Sequence, residues 1–473
     1  ALVTDGVSAA SATVEISSTA SVANVTSLYS VDTGKITATV TEGDVSTLSA
    51  LATVDGGAAT NALTINLTDN SVTASDIIGL DGVTSIDVNA VSVEVVTGSA
   101  SDIASFRAAI DAGTIVATPR FDAVIAEDDD AASATEITAI ANPTGFDPLS
   151  VDASDLVTIT GSASDVLEAY GHSNINAGNL GNETIILTEA GNAIAADVLT
   201  SVVALVDGTV GGVNASSITS IAGSYGDLNA VVGADSEDLT THASYDLEID
   251  EVIPEAAADK LKAMVLDTDG TKDFDKVVKI VGSVDDILAV IDDNKTNLAS
   301  NVVIEATDVG TAAEIAQMVG ATSGVVTADV EQDSLENLVN AFKDLMTGKG
   351  TEDAFHNLSF NIDDTSVSVL DLNVLIGLTD GVVTASGVTT VTSGDIGNNN
   401  DFSILFNAQP ADITIGNYNI SYDINNTASV SEIKSIVTNS DGKTSGFITA
   451  TLLDSVTGGD TISADEAATL TTT

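Results

Sequence analysis

The sequence predicts a β-rich, mixed α/β repeat protein, an elongated solenoid of strands with short helices. Three observations lead there. A Gly-Ser-x-x-Asp box recurs at nearly constant spacing. Each copy stands between a strand-like run and the apolar start of a helix. Aromatic residues make up only 3% of the chain, so the core has to be thin and built from Val, Ile, Leu and Ala. Self-similarity at a fixed period marks repeat architectures. A unit of one or two strands and a short helix cannot bury its apolar faces alone; stacking on neighbours buries them.

The first box reads GSASD at Gly98, GSASD at Gly161, GSYGD at Gly223 and GSVDD at Gly282, with a worn copy, TSGDIG, near Gly394. VEVVT, LVTIT, ITSIA and VVKIV precede the four good copies, and DIASFRAAI, DVLEAYG, DLNAVV and DDILAVI follow them. Ser and Asp ahead of an apolar run are N-cap and first-turn residues, which accept from free N–H groups and complement the helix dipole. The glycine is expected to supply a positive φ at the corner between strand and helix.

A second box alternates with the first. It begins at Ile65, Ile185, Val302 and Phe360, and each copy is a strand, a polar turn, an acid opening a short helix, a Gly turn and another strand. The acids are Asp76, Asp197, Glu314 and Asp371. Asp81-Gly82, Asp207-Gly208 and Asp380-Gly381 are expected to end helices and turn the chain. A string of all-β sandwich domains is the competing architecture, but it has no use for helix caps at fixed intervals.

Along the chain, 1–60 reads as an irregular N-terminal or capping region. Strand–helix repeats occupy 61–253, with a joint near 119–150, where Pro119, Pro143 and Pro148 flank Glu127–Asp130. The stretch 254–350 is more helical and contains lysines, with Pro254 expected at a first helical position. Its best helix places Leu335, Leu338, Phe342 and Leu345 on one face, with Gly348 as C-cap. Repeats and a β-rich region fill 351–473. The C-terminal ADEAATLTTT resembles the middle of the pattern, so a longer parent chain is expected; a start at Ala suits a processed, secreted protein.

Seventy acidic residues oppose 13 basic ones, a net charge of −57, and cysteine is absent. Such a chain cannot neutralise phosphates, which excludes nucleic-acid binding. Anionic membranes are disfavoured for the same reason. With 44% hydrophobic residues and a mean hydropathy of +0.30, it is a folded chain with an acidic skin rather than a disordered one. No apolar run is long enough for a membrane span. Disulfides and thiolate metal sites are excluded.

The nearest approach to a metal motif is DTDGTKDFD, with Asp267, Asp269, Asp273 and Asp275 as candidate calcium ligands. Calcium takes several carboxylate oxygens around a turn, and Asp-x-Asp-Gly has that shape, although Lys276 stands where an EF-hand has its final Glu. The plain alternative is a solvated acidic turn. Glu127–Asp130 makes a weaker case, because consecutive acids point in different directions. His172, His242 and His356 share no ligand spacing. No nucleophile elbow or phosphate-binding loop is present, so no catalytic residue and no enzyme is expected.

The boxes VTGSASDI, ITGSASDV and SIAGSYGDL resemble repeats in large secreted and surface-layer-type structural proteins of aquatic bacteria, marine cyanobacteria included, over about residues 60–400. The resemblance implies an extracellular structural or adhesive role. The calcium-binding nonapeptide of β-rolls is missing. The expected function is self-assembly, as a homopolymer, into a surface layer, sheath or filament, or service as an adhesin stalk, with cell-surface polysaccharide as a further partner. A solenoid carbohydrate-active enzyme or phage-type fibre, and a calcium-binding matrix protein, are the alternatives.

Overall fold

The computed structural model describes residues 13–392 except 30–33, 55–60, 119, 127–129, 142–149, 176–179, 207–210, 235–237 and 347–355; beyond 392 it describes 402, 405, 413–422 and 448–450. Pro119, Pro143, Pro148, Glu127–Asp129, Asp207-Gly208, Gly348, the worn box at Gly394 and the C-terminal ADEAATLTTT lie outside the described residues. The described residues form a mixed α/β structure with thirteen α-helices and many short parallel strands in several sheets, none of them a closed barrel. The chain divides into two compact units, Ala1–Tyr245 and Asp246–Thr473.

In the first unit a sheet of Val14–Ala20, Ile36–Val40 and Ala62–Thr64 is followed by one of Ser71–Thr73, Val95–Gly98, Asp122–Ile125 and Ser150–Asp152. A third runs from Ala131–Ser133 through Thr158–Gly161, Thr184–Leu187 and Gly212–Ala215 to Leu239–Thr241. The regular pattern thus already holds at Val14, where an irregular region was expected. In the second unit the longest sheet passes from Ala256–Ala257 through Lys279–Gly282, Val303–Gly310, Val326–Val330, Asn357–Asn361 and Val383–Ala385 to Ile413–Ile415. Beside it lies Ser366–Ser368, Thr390–Thr392, Asn419–Tyr422 and Ile448–Ala450.

Strand partners are parallel, with registers such as Ile159↔Ile185, Ile185↔Val213 and Ile280↔Ile304. Parallel neighbours need a crossover of a dozen or more residues, and here short helices provide most of these. This excludes the all-β sandwich alternative, which is built from antiparallel sheets. Register places one apolar residue on the next: Ile159, Ile185 and Val213 are buried in line, as are Ile280, Ile304 and Val326. Each helix adds a narrow stripe, such as Ala163, Val166 and Ala169. Aromatic rings meet only locally, Phe106 with Phe121 and Phe342 with Phe360, both edge to face.

The boxes fall where the spacing predicts. Helices begin at Ala100, Ala163, Tyr225 and Val284, directly after the four Gly-Ser pairs. Ser99 and Ser162 accept from the N–H of Asp102 and Asp165 at 3.0 and 3.2 Å. Ser224 and Ser283 do the same for Asp227 and Asp286 at 3.1 and 3.2 Å. Helices at Ala134, Ala196, Ala258 and Ala312 alternate with these, so one sequence period contains two helices.

The reason for the glycine differs from the expected one. Gly98 has a positive φ (152°), whereas Gly161, Gly223 and Gly282 are not among the positive-φ residues. Space decides instead: a Cβ on Gly161, Gly223 or Gly282 would lie 2.9, 2.8 or 2.5 Å from the Cβ of Ala134, Ala196 or Ala258. The box glycine lets one strand end pass against the first residue of the preceding helix.

A further expectation changes. Pro254 is not a first helical position: the helix starts at Ala258, because Ala256–Ala257 is drawn into a strand pairing with Ile280 and Val281. Gly82 does end its helix, as a right-handed C-cap. The helix Leu335–Met346 buries Leu335, Leu338 and Phe342 as expected, with Val339 added and Leu345 half-buried.

Candidate functional site: the acidic turns

The acids carry most of the chemistry in this chain, and the structure assigns many of them to backbone N–H groups. The first amide of a helix has no intrahelical acceptor. Glu42 accepts from the N–H of Val22 at 2.9 Å, Asp69 from Val45 at 2.6 Å, Asp308 from Val284 at 2.7 Å and Asp364 from Leu335 at 2.6 Å. Glu189 does the same for Ala163. Each acid comes from 20 to 29 residues downstream, so a later turn completes an earlier helix start. The Thr41 hydroxyl, and behind it the Val22 N–H, hold the Glu42 carboxyl below the usual carboxylate range. Sequence reasoning missed this set; its signal is an acid late in a strand or soon after it, about one strand spacing after the helix start it caps.

The four candidate calcium ligands do not form a common set. Asp267 is the last residue of the helix Ala258–Asp267. Asp269 lies in the following bend, where its backbone carbonyl accepts from the Lys295 ammonium. Asp273 is the outward-facing middle residue of Lys272–Phe274 and accepts from Asn297 Nδ2 at 2.8 Å and from the Asp275 N–H at 3.3 Å. Asp275 is exposed in the next turn. Among the described residues no three His, Asp or Glu side chains gather into a group able to hold a metal ion. These aspartates are near one another in sequence, but a helix end, a bend, a strand and a turn distribute them.

The histidines also stay separate. His172 is half-buried in a turn, and His242 Nδ1 accepts from the Ser244 N–H at 3.1 Å. His356 is fully buried, with Nδ1 accepting from the Val326 N–H at 3.0 Å and its carbonyl from the Thr379 hydroxyl at 3.0 Å. Buried threonines do similar work between a helix end and the next strand. Thr379 donates to the Leu358 carbonyl and accepts from the Leu358 N–H, both at 2.8 Å, and Thr84 treats Leu63 in the same way. Glu183 is buried, accepting from the Tyr170 hydroxyl and the Gly181 N–H, both at 2.7 Å. Burial, then that carboxylate, pushes the Tyr170 phenol far above its ordinary value.

The second unit holds a different arrangement. Lys279 pairs with Glu255 at 3.1 Å and Glu305 at 2.7 Å, Lys262 with Asp286 at 2.7 Å, and Lys276 with Glu248 at 3.4 Å. Lys272, 2% exposed, pairs with Asp293 at 3.1 Å. Burial alone would raise the Asp293 carboxyl, but the Thr296 hydroxyl and Lys272 outweigh it and hold it low.

No helix among the described residues is long and apolar enough to cross a membrane. Compared with known protein families and with curated proteins, the chain matches none.

Proposed function

We propose that this chain is an extracellular structural protein: an elongated solenoid that self-assembles into a surface layer, sheath or filament, or forms an adhesin stalk. One observation carries the reading. Successive strands pair in parallel over and over, at separations from 20 residues (Gly310↔Val330) to 30 (Thr327↔Asn357), and acids near them serve as helix caps and ladder partners. Such a molecule spends its polar residues on stacking. Repeated stacking favours quasi-one-dimensional architecture, and edge strands offer unpaired N–H and C=O groups to a second copy. Head-to-tail contacts that do not close make filaments. The acidic surface suits a cell exterior or an aqueous matrix, with polysaccharide as a further partner, and disfavours nucleic acid.

The test is electron microscopy of the purified protein, with calcium and then with a chelator. Ordered filaments or sheets are the expected outcome; their loss on chelation would add ion bridging between copies. Dispersed single particles in both conditions, or release of sugars from a polysaccharide panel, would overturn the reading in favour of a non-assembling or carbohydrate-active protein.

A further inference from the structure

The two units carry nearly the same net charge by different means. Residues 1–245 hold 3 basic against 32 acidic residues (−29), and residues 246–473 hold 10 against 38 (−28). In the first unit the ion pair Arg107–Asp111, at 3.9 Å, stays within one helix. Neighbouring chain levels are joined there by neutral or singly charged hydrogen bonds: Asn89 to Asn66 at 2.9 Å, Asn70 to Glu94 at 3.0 Å, Thr114 to Asp81 at 2.9 Å and Ser150 to Asp122 at 2.8 Å. Between residues 246 and 310 links of that kind, such as Asn297 to Asp273 and Thr271 to Asp246, are accompanied by lysine–carboxylate pairs, each connecting positions 21 to 28 residues apart.

We propose that residues 246–310 form an electrostatic clasp, in which lysine–carboxylate pairs hold successive strand–helix levels together and which ionic strength loosens relative to the strands of the first unit. The inference does not depend on the functional reading. Both stretches are net acidic, so salt relieves repulsion in each, but between 246 and 310 it also weakens the attraction within the lysine–carboxylate pairs. Screening weakens attraction between unlike charges and relieves repulsion between like ones. A stretch joined by ion pairs loses attraction; a stretch with 3 bases among 32 acids mainly loses repulsion. Isolated exposed pairs contribute little, but pairs that share partners count as a network. Lys279 bridges two glutamates, and Lys272 is buried against a half-buried partner. Ionisation agrees with the geometry: hydrogen bonds to Asp286 and to Glu305 and Glu255 raise Lys262 and Lys279, and Lys262 lowers Asp286.

The experiment is peptide-resolved hydrogen exchange on the full chain, from about 10 mM to about 1 M NaCl, which shortens the screening length from about 30 Å to about 3 Å. Exchange at Lys272–Phe274, Lys279–Gly282 and Val303–Gly310 should rise several-fold relative to Thr158–Gly161 and Gly212–Ala215. Lys279→Met should remove most of that salt-dependent difference at Lys279–Gly282 and leave Thr158–Gly161 as it was. If Lys279→Met perturbs the fold, Lys276→Met, altered at a side chain 34% exposed, should give the same result at Asp246–Ile249. An equal salt response in both regions, or a full response surviving in the folded variants, would overturn the clasp.

Discussion

The helix that starts at Ala163 and the helix that starts at Ala196 pack against each other, yet they begin in opposite ways. Ala163 follows Gly161-Ser162: the Ser162 hydroxyl accepts from the Asp165 N–H, and Glu189 caps the Ala163 amide. Ala196 follows the strand Ala193–Ala195 without a break, and Ala195 makes no side-chain cap. What Ala196 contributes is smallness, since its methyl group fills the space a Cβ on Gly223 would need. The pair Val284 and Ala258 repeats the contrast: a Ser283 cap at one, contact with Gly282 at the other. At these two pairs the helix starts differ, polar at one and steric at the other, although Ala134 and Ala312, which hold the same places as Ala196 and Ala258, also have side-chain caps, from Ser133 and Thr311.

The largest effect should come from the steric partner. Gly282→Ala forces a methyl group to 2.5 Å from the Ala258 Cβ, and overpacking of this kind destabilises by about 2 kcal/mol. Adding Ala258→Gly should restore part of the loss, giving a favourable coupling in a double-mutant cycle read by chemical denaturation; simple additivity would break the comparison. Next, Ser162→Ala should lose about 1 kcal/mol, as an N-cap deletion does. The reverse change on the other class, Ala195→Ser, should stabilise by about 0.5 kcal/mol, because Ala195 already has extended N-cap geometry (φ −78°, ψ 139°) and lacks only the acceptor. Thermal midpoints moving in opposite directions would confirm that the two starts differ in capping; equal losses would not.

The smallest effect concerns Glu314, whose capping box with Thr311 belongs to the polar class. The Thr311 N–H, and then its hydroxyl, hold the Glu314 carboxyl below its ordinary value. A lowered carboxyl stabilises the fold above the unfolded pKa, about 4.3 for Glu, and that contribution disappears as pH falls through the folded value. Acidification from about pH 5 to pH 3 should therefore speed amide exchange in Ala312–Ala321, and Glu314→Gln should flatten that dependence.

Much of this was readable in advance where the cause is local. The corner at each Gly-Ser-x-x-Asp box, the Ser caps and the apolar face of Leu335–Met346 follow from residues within a few positions of one another. The strand–helix order of 131–141 was also encoded, in Ser133 and Glu136, but escaped notice because its box lacks the glycine. Other features have causes one strand spacing away. Neither the fit of Gly161 against Ala134 nor the reach of Asp308 to the Val284 amide can be seen in a window of five residues. The reading of Asp267, Asp269, Asp273 and Asp275 as one ligand set failed to allow for a helix end, a bend and a strand that divide them.

By itself the sequence determined the alternation of strands with capped short helices and the thin aliphatic core, because propensity and capping act over a few residues and composition over the whole chain at once. Tertiary structure alone decided which glycine needs its missing Cβ, which acid closes which helix and which lysine lies buried against Asp293. Those choices depend on the register between strands that are 20 to 30 residues apart in the chain. Register arises only when the apolar faces of successive levels stack and bring distant residues within hydrogen-bonding distance.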